Sequence, residues 1–142
     1  MNVTISLSME RLTEVLMAHS AAVGGWTCET DKVLTARQKP MLQVLADGEI
    51  SRLALEIPGI IENVETDGDM RLLSCVLDAG SCVRVWRRNI ETAVCAGVMA
   101  RVTENADNGC AEMYRRDRAG IVESMKREAV NFFLPDRIRR GA

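Results

Sequence analysis

Residues 60–77 read IIENVETDGDMRLLSCVL, and the reading of this stretch decides the kind of fold. Two short apolar runs flank Thr66-Asp67-Gly68-Asp69. Asp-Gly between such runs is a strong hairpin signal, because glycine enters the left-handed backbone region that a two-residue turn demands. A turn between two helices is the other reading of the same residues. The choice separates an all-helical chain from a helical chain with a small β element, and we expect the hairpin.

Upstream lies LTARQKPMLQVLADGEISRLALEIPG. Thr35 and Gln38 stand at capping-box spacing, but Pro40 conflicts with a helix that begins at Ala36. A tight turn over 35–38 and a helix from Lys39 satisfy both. Leu42, Leu45, Ile50, Leu53 and Ile57 form its apolar stripe, and Pro58-Gly59 ends it. Gly48 inside that helix costs about 1 kcal/mol relative to alanine, which points to close approach by a neighbour. Further back, residues 2–8 alternate Val3, Ile5 and Leu7 with polar neighbours, the period of a short strand or an extended arm. Ser8 is placed to cap a helix from Met9 to Val23. Its expected apolar face is Leu12, Val15, Leu16, His19 and Val23, stopped by Gly24-Gly25 before a loop that carries Trp26 and Cys28.

Downstream, Asp78 to Ser81 opens a third helix that runs to about Val102. Val83, Trp86, Ile90, Val94, Val98 and Val102 recur at three and four residues, the spacing of a buried stripe. The small side chains of TAVCAGVMA let another backbone come close. After the turn formers of TENADNG, a last helix spans about Cys110 to Leu134, with Met113, Tyr114, Ile121, Met125, Ala129 and Phe132 near one stripe. At 1.5 Å per residue it reaches roughly 35 to 40 Å. The expected fold class is therefore mainly α. It is about a four-helix bundle with a minor short β-hairpin or strand element and a long C-terminal helix. Residues 1–142 read as a single helical domain, with 136–142 as a flexible basic tail.

Composition narrows the function classes. Half-apolar and a quarter charged, a chain of 142 residues can bury a core without staples. A formal charge of -2 gives no overall pull toward nucleic acid or anionic lipid. No apolar run approaches the ~20 residues of a membrane span, and the N-terminus lacks the pattern of a signal peptide. The expectation is a cytoplasmic protein with no membrane partner. Cys28, Cys75, Cys82, Cys95 and Cys110 are odd in number and form no Cys-x-x-Cys pair, which fits reduced thiols.

The chemistry-bearing residues are sparse. His19 is the single histidine, and on an apolar helix face it reads as a satisfied core residue rather than a catalytic base. The cysteine spacings do not match paired zinc ligands, and neither AVGGW nor DGD has the context of a phosphate loop. No cofactor and no catalytic residue is expected. Glu56, Glu62, Glu65, Asp67 and Asp69 read as an acidic hairpin edge, where charge keeps a strand from pairing further. Arg115, Arg116, Arg118, Lys126 and Arg127 alternate with Glu112, Asp117, Glu123 and Glu128, the pattern of a solvated helix face. Arg137, Arg139 and Arg140 are opposed only by Asp136, but aromatics are not interleaved with them as on a stacking nucleic-acid surface. Direct nucleic-acid binding is not the expectation.

The segment TARQKPMLQVLADGEISRLALEIPGII, a capped turn with lysine-proline before a long apolar-striped helix, resembles small, mainly helical phage and prophage proteins. These belong to the head–tail connector or head-completion neighbourhood. The later order is similar too: a short β stretch, a helix carrying Trp86, then a long helix with an arginine-rich end after a proline, FFLPDRIRRGA. The resemblance implies a non-enzymatic structural or adaptor protein of a virion, with other virion or assembly proteins or further copies of itself as partners. The alternative is a small regulatory or nucleic-acid-associated helical module. Phe132, Phe133, Arg137, Ile138, Arg139 and Arg140 are the expected partner-binding residues, the tail ordering on contact.

Overall fold

The computed structural model describes residues 1–23, 36–105 and 108–132, with residues 21–23, 36 and 130–132 described by their backbone only. Among them are three strands, β1 (Asn2–Ser8), β2 (Ile61–Asp67) and β3 (Met70–Val76), and four helices, α1 (Met9–Val23), α2 (Lys39–Glu56), α3 (Val83–Thr103) and α4 (Asn108–Phe132). The fold is mainly helical with a small antiparallel sheet.

Residues 60–77 form the expected hairpin, with Gly68 at φ +57° in the turn. β3 is the central strand, because β1 pairs along its other edge to give the order β1-β3-β2. Register explains how the core face is built. Ile5 lies opposite Leu73 and Val3 opposite Cys75, while on the other side Val64 faces Leu73 and Ile61 faces Cys75. Ile61 and Val64 are three apart and would point to opposite faces of a regular strand. A register shift between Ile61 and Asn63 inserts the extra residue that turns both inward.

The hairpin turn also starts α1. Asp69 accepts hydrogen bonds from Ser8 Oγ (2.9 Å) and from the Glu10 N–H (3.0 Å), and its carbonyl accepts from the Met9 N–H (2.9 Å). Ser8 Oγ accepts in turn from the Arg11 N–H (3.2 Å), as a capping serine does. A carboxylate at the positive end of a helix is favourable in its own right. Across the sheet, Arg71 forks onto Asp47 of α2 through Nε (2.6 Å) and Nη2 (3.1 Å), tying β3 to that helix.

α3 is the hub, packing against α4, α2, α1 and β1. Trp86, Ile90, Val94 and Val98 of its stripe are buried, with Val83 and Val102 half-buried, and Ala93, Ala96, Gly97 and Ala100 are covered as well. Its N-cap is Cys82, so residues 78–81 precede the helix rather than open it. Leu42, Ile50, Leu53 and Ile57 supply the buried side of the α2 segment, preceded by a 3-10 turn at Ala36–Gln38 with Pro40 in the first helical turn. In α4, Tyr114 and Met125 are buried, whereas Met113, expected on the same stripe, is 43% exposed.

Further expectations are corrected. The buried face of α1 is Leu12, Thr13, Leu16 and Ser20, so His19 and Val15 lie at the surface rather than in the core. Gly48 is not approached by any neighbour, since a Cβ there would meet nothing within 4 Å. Arg118 is not on a solvated face but is buried at 7% exposure. The expectation of reduced thiols holds for Cys75, Cys82 and Cys95, which are free, and is corrected for Cys110, which is disulfide-bonded.

Candidate functional site

Of the six expected partner-binding residues, Phe133, Arg137, Ile138, Arg139 and Arg140 lie outside the described residues, as does the side chain of Phe132. The chemistry that the described residues bring together is elsewhere, in three places.

The first is a buried ion cluster between α2, α3 and α4. Glu49 is 1% exposed. Its carboxylate accepts from Arg101 Nε of α3 at 3.2 Å and from Arg118 Nε of α4 at 3.1 Å. Arg118 also donates from Nη1 to Glu56 at 3.0 Å, and Arg52 Nε lies 3.0 Å from the other Glu56 oxygen. Burial works against the ionised Glu56. The Arg118 hydrogen bond and the charges of Arg118, Arg52 and Lys126 outweigh it and hold the carboxyl below its ordinary value. Gly97 makes the arrangement possible, because a Cβ on it would overlap the Glu49 carboxylate. The cluster spans three helices and pairs buried charges with charges, with Arg118 Nη2 left buried and without a hydrogen-bond partner among the described residues. It clamps the three helices together. The sequence reading left Glu49 unnamed and put Arg118 on a solvated face, since each sits among ordinary surface charges. The small-residue run around Gly97 was the only available signal.

The second is a groove of about 570 Å³ running along α3, with α1 and α4 as its walls. Its two ends differ. At one end stand Arg84, Arg87 and Arg88 of α3 and Arg11 of α1. Arg11 lies 3.7 Å from Glu91, which it partly neutralises. Arg84, Arg87 and Arg88 form no ion pair among the described residues, unlike Arg52, Arg71, Arg101, Arg115, Arg116 and Arg118. Arg87 Nε is buried with no hydrogen-bond partner. Toward the other end the lining is Leu16, Cys95, Ala96 and Met99, closed by Tyr114, whose hydroxyl is 2.8 Å from His19 Nε2. Burial and the nearby Asp117 carboxylate raise the Tyr114 pKa, so the phenol stays protonated. Burial, helped by Glu91, pushes the Cys95 thiol up to about 12, which removes it as a nucleophile near neutral pH.

The third is the outer face of α2. Met41, Val44 and Leu55 are 44%, 71% and 81% exposed. They share that face with exposed Gly48 and Ser51. Steps of three, four, three and four residues link the five positions, the spacing by which one helix presents itself to another. α2 thus carries apolar side chains on two faces, of which the chain's own core uses one.

Among the described residues, no group of three or more His, Cys, Asp or Glu side chains is placed to hold a metal ion. No described helix is long and apolar enough to cross a membrane. In comparisons with known proteins, no family model, curated protein or solved structure matches this chain.

Proposed function

We propose that this chain is a non-enzymatic structural or adaptor protein of a phage or prophage virion, at the head–tail connector, and that it acts by protein–protein packing. The observation that carries the reading is the second apolar face of α2. Val44 and Leu55 project into solvent on either side of Gly48, and the space above Gly48 is open. Removing such side chains from water contributes about 1.5 to 3 kcal/mol each, and a glycine between them lets a partner backbone come close. On this reading the four helices work as a bundle around α3 and the 25-residue α4 serves as its long strut. Phe132, Phe133, Arg137, Ile138, Arg139 and Arg140 add a tail that orders on the partner. The protein then resides in the host cytoplasm before assembly and in the virion afterwards.

Analytical ultracentrifugation of the full chain, alone and with a portal protein from the same phage, tests the proposal. Self-association or co-sedimentation is expected, and Val44→Glu with Leu55→Glu abolishes it. Deleting residues 136–142 weakens assembly and leaves the thermal midpoint in place. A strict monomer that ignores portal and other virion proteins sinks the idea. The unpaired Arg84, Arg87 and Arg88 favour a second reading, a regulatory or nucleic-acid-associated module. DNA binding that falls steeply with salt and fails in the Arg84, Arg87, Arg88 triple alanine variant, or in the Arg137, Arg139, Arg140 one, supports that alternative.

A further inference from the structure

We propose that the groove between α1, α3 and α4 is a binding site for a small amphipathic organic anion. A carboxylate or phosphate monoester head sits among Arg84, Arg87 and Arg88, and the apolar body lies over Leu16, Ala96 and Met99. The inference stands apart from the adaptor reading, which rests on α2.

Three observations converge on it. The first is electrostatic cost. Arg84 lies in the first turn of α3 and Arg87 and Arg88 in the next, at the end of the helix that already carries partial positive charge. That first turn holds no acidic residue, and Cys82 makes no side-chain cap. Three like charges on one helix end, none of them in an ion pair among the described residues, repel each other and the helix dipole. A bound anion relieves both. The second is an orphaned donor. Arg87 Nε is buried and unpartnered while Arg87 lines the groove, and a buried donor left without an acceptor costs about 1 to 3 kcal/mol. An anion head paired with the accessible part of the Arg87 guanidinium offsets part of that cost, and guanidinium is the side chain best shaped to hold a planar carboxylate or a phosphate.

The third is the shape of the site. A groove of about 570 Å³ is the size that small organic ligands fill. Its apolar lining follows α3 away from the arginines, so head and body have separate places. The acidic groups facing the groove do not cancel the basic end. Glu91 has Arg11 beside it, and Asp117 lies toward Tyr114 at the apolar end. His19 faces Tyr114 rather than the arginines. The polarity of the groove therefore fixes the ligand's direction: head toward the start of α3, tail toward Met99.

The test is a titration of the full chain with sodium octanoate, phenyl phosphate and inorganic phosphate, followed by amide shifts in nitrogen–proton correlation spectra. Octanoate or phenyl phosphate is expected to give saturable shifts confined to residues lining the groove, while inorganic phosphate, which lacks the apolar body, binds roughly tenfold more weakly or worse. Arg87→Gln is expected to weaken the organic anion by roughly tenfold while the thermal midpoint stays close to that of the unmodified chain. Should Arg87→Gln unfold the protein, the exposed pair Arg84→Gln with Arg88→Gln replaces it, with the same expected loss. Three results overturn the proposal. These are no saturable shift by about 10 mM probe, equal binding of inorganic phosphate, or unchanged binding in the folded arginine variants.

Discussion

Gly97 and Glu49 share one volume: the carboxylate occupies the space that any larger residue at 97 would fill. Two elementary effects meet there. A glycine in mid-helix costs about 1 kcal/mol against alanine, and a buried carboxylate costs far more unless it is paired. The chain accepts the first cost because it lets Arg101 and Arg118 meet Glu49. Gly97→Ala alone is expected to lose about 2 to 4 kcal/mol, since the added methyl displaces the carboxylate from its partners. In a Glu49→Ala background the same substitution is expected to cost less than about 1 kcal/mol, because the obstacle is gone. Urea unfolding of the four proteins measures this cycle. Additive losses would show that the two residues do not compete for the same space.

At the level of elements, α2 is the helix with two apolar faces, and Gly48 lies on the outer one. No neighbour lies within 4 Å of a Cβ at that position, so the isolated chain derives nothing from the missing side chain. Gly48→Ala is expected to stabilise the protein by roughly 0.5 to 1 kcal/mol through helix propensity alone. Chemical denaturation gives the sign directly, and a loss of stability would mean that something within the folded chain does approach Gly48. The contrast with Gly97 shows why residue type in sequence was a poor guide to close approach. Both glycines interrupt apolar-striped helices, yet one faces solvent and the other a buried carboxylate. Elements built from local pattern were legible in advance. The Asp67-Gly68 turn, the Ser8 cap, the position of Pro40 and the Trp86 stripe each rest on chemistry within a few residues. The second role of Asp69, capping α1 from a hairpin turn 59 residues away from Glu10, was not legible.

For the molecule as a whole, the charged clamp between α2 and α4 makes stability sensitive to acid. The Glu56 carboxyl lies below its ordinary value of 4.5 in the folded state, so folding favours its ionised form. Its contribution is therefore complete above 4.5 and is lost as pH falls through the lowered folded value. The thermal midpoint of the unmodified protein should exceed that of Glu56→Gln by its largest margin near neutrality, with the two curves converging at acid pH. A margin that grows on acidification would reverse the sign and remove Glu56 from the clamp. The groove belongs to this scale too. It exists because α1 and α4 flank the same side of α3, a juxtaposition of residues as far apart in sequence as His19 and Tyr114.

The sequence by itself determined where the chain turns, where three of the four described helices begin, the hairpin and most of the apolar stripes. Those features depend on contacts within one or two turns or across one hairpin. The tertiary structure alone decided which charges are buried and which apolar faces stay in water. Arg115, Arg116 and Arg118 are alike in sequence, and only the position of Glu49 and Glu56 on a helix some 60 residues earlier draws Arg118 inside. His19 moved outward for the same reason, because the face of α1 that meets α2 and α3 is chosen by the partners it packs against rather than by its own hydrophobicity. Burial is a property of pairs of surfaces, and a single strand of sequence holds one surface of each pair.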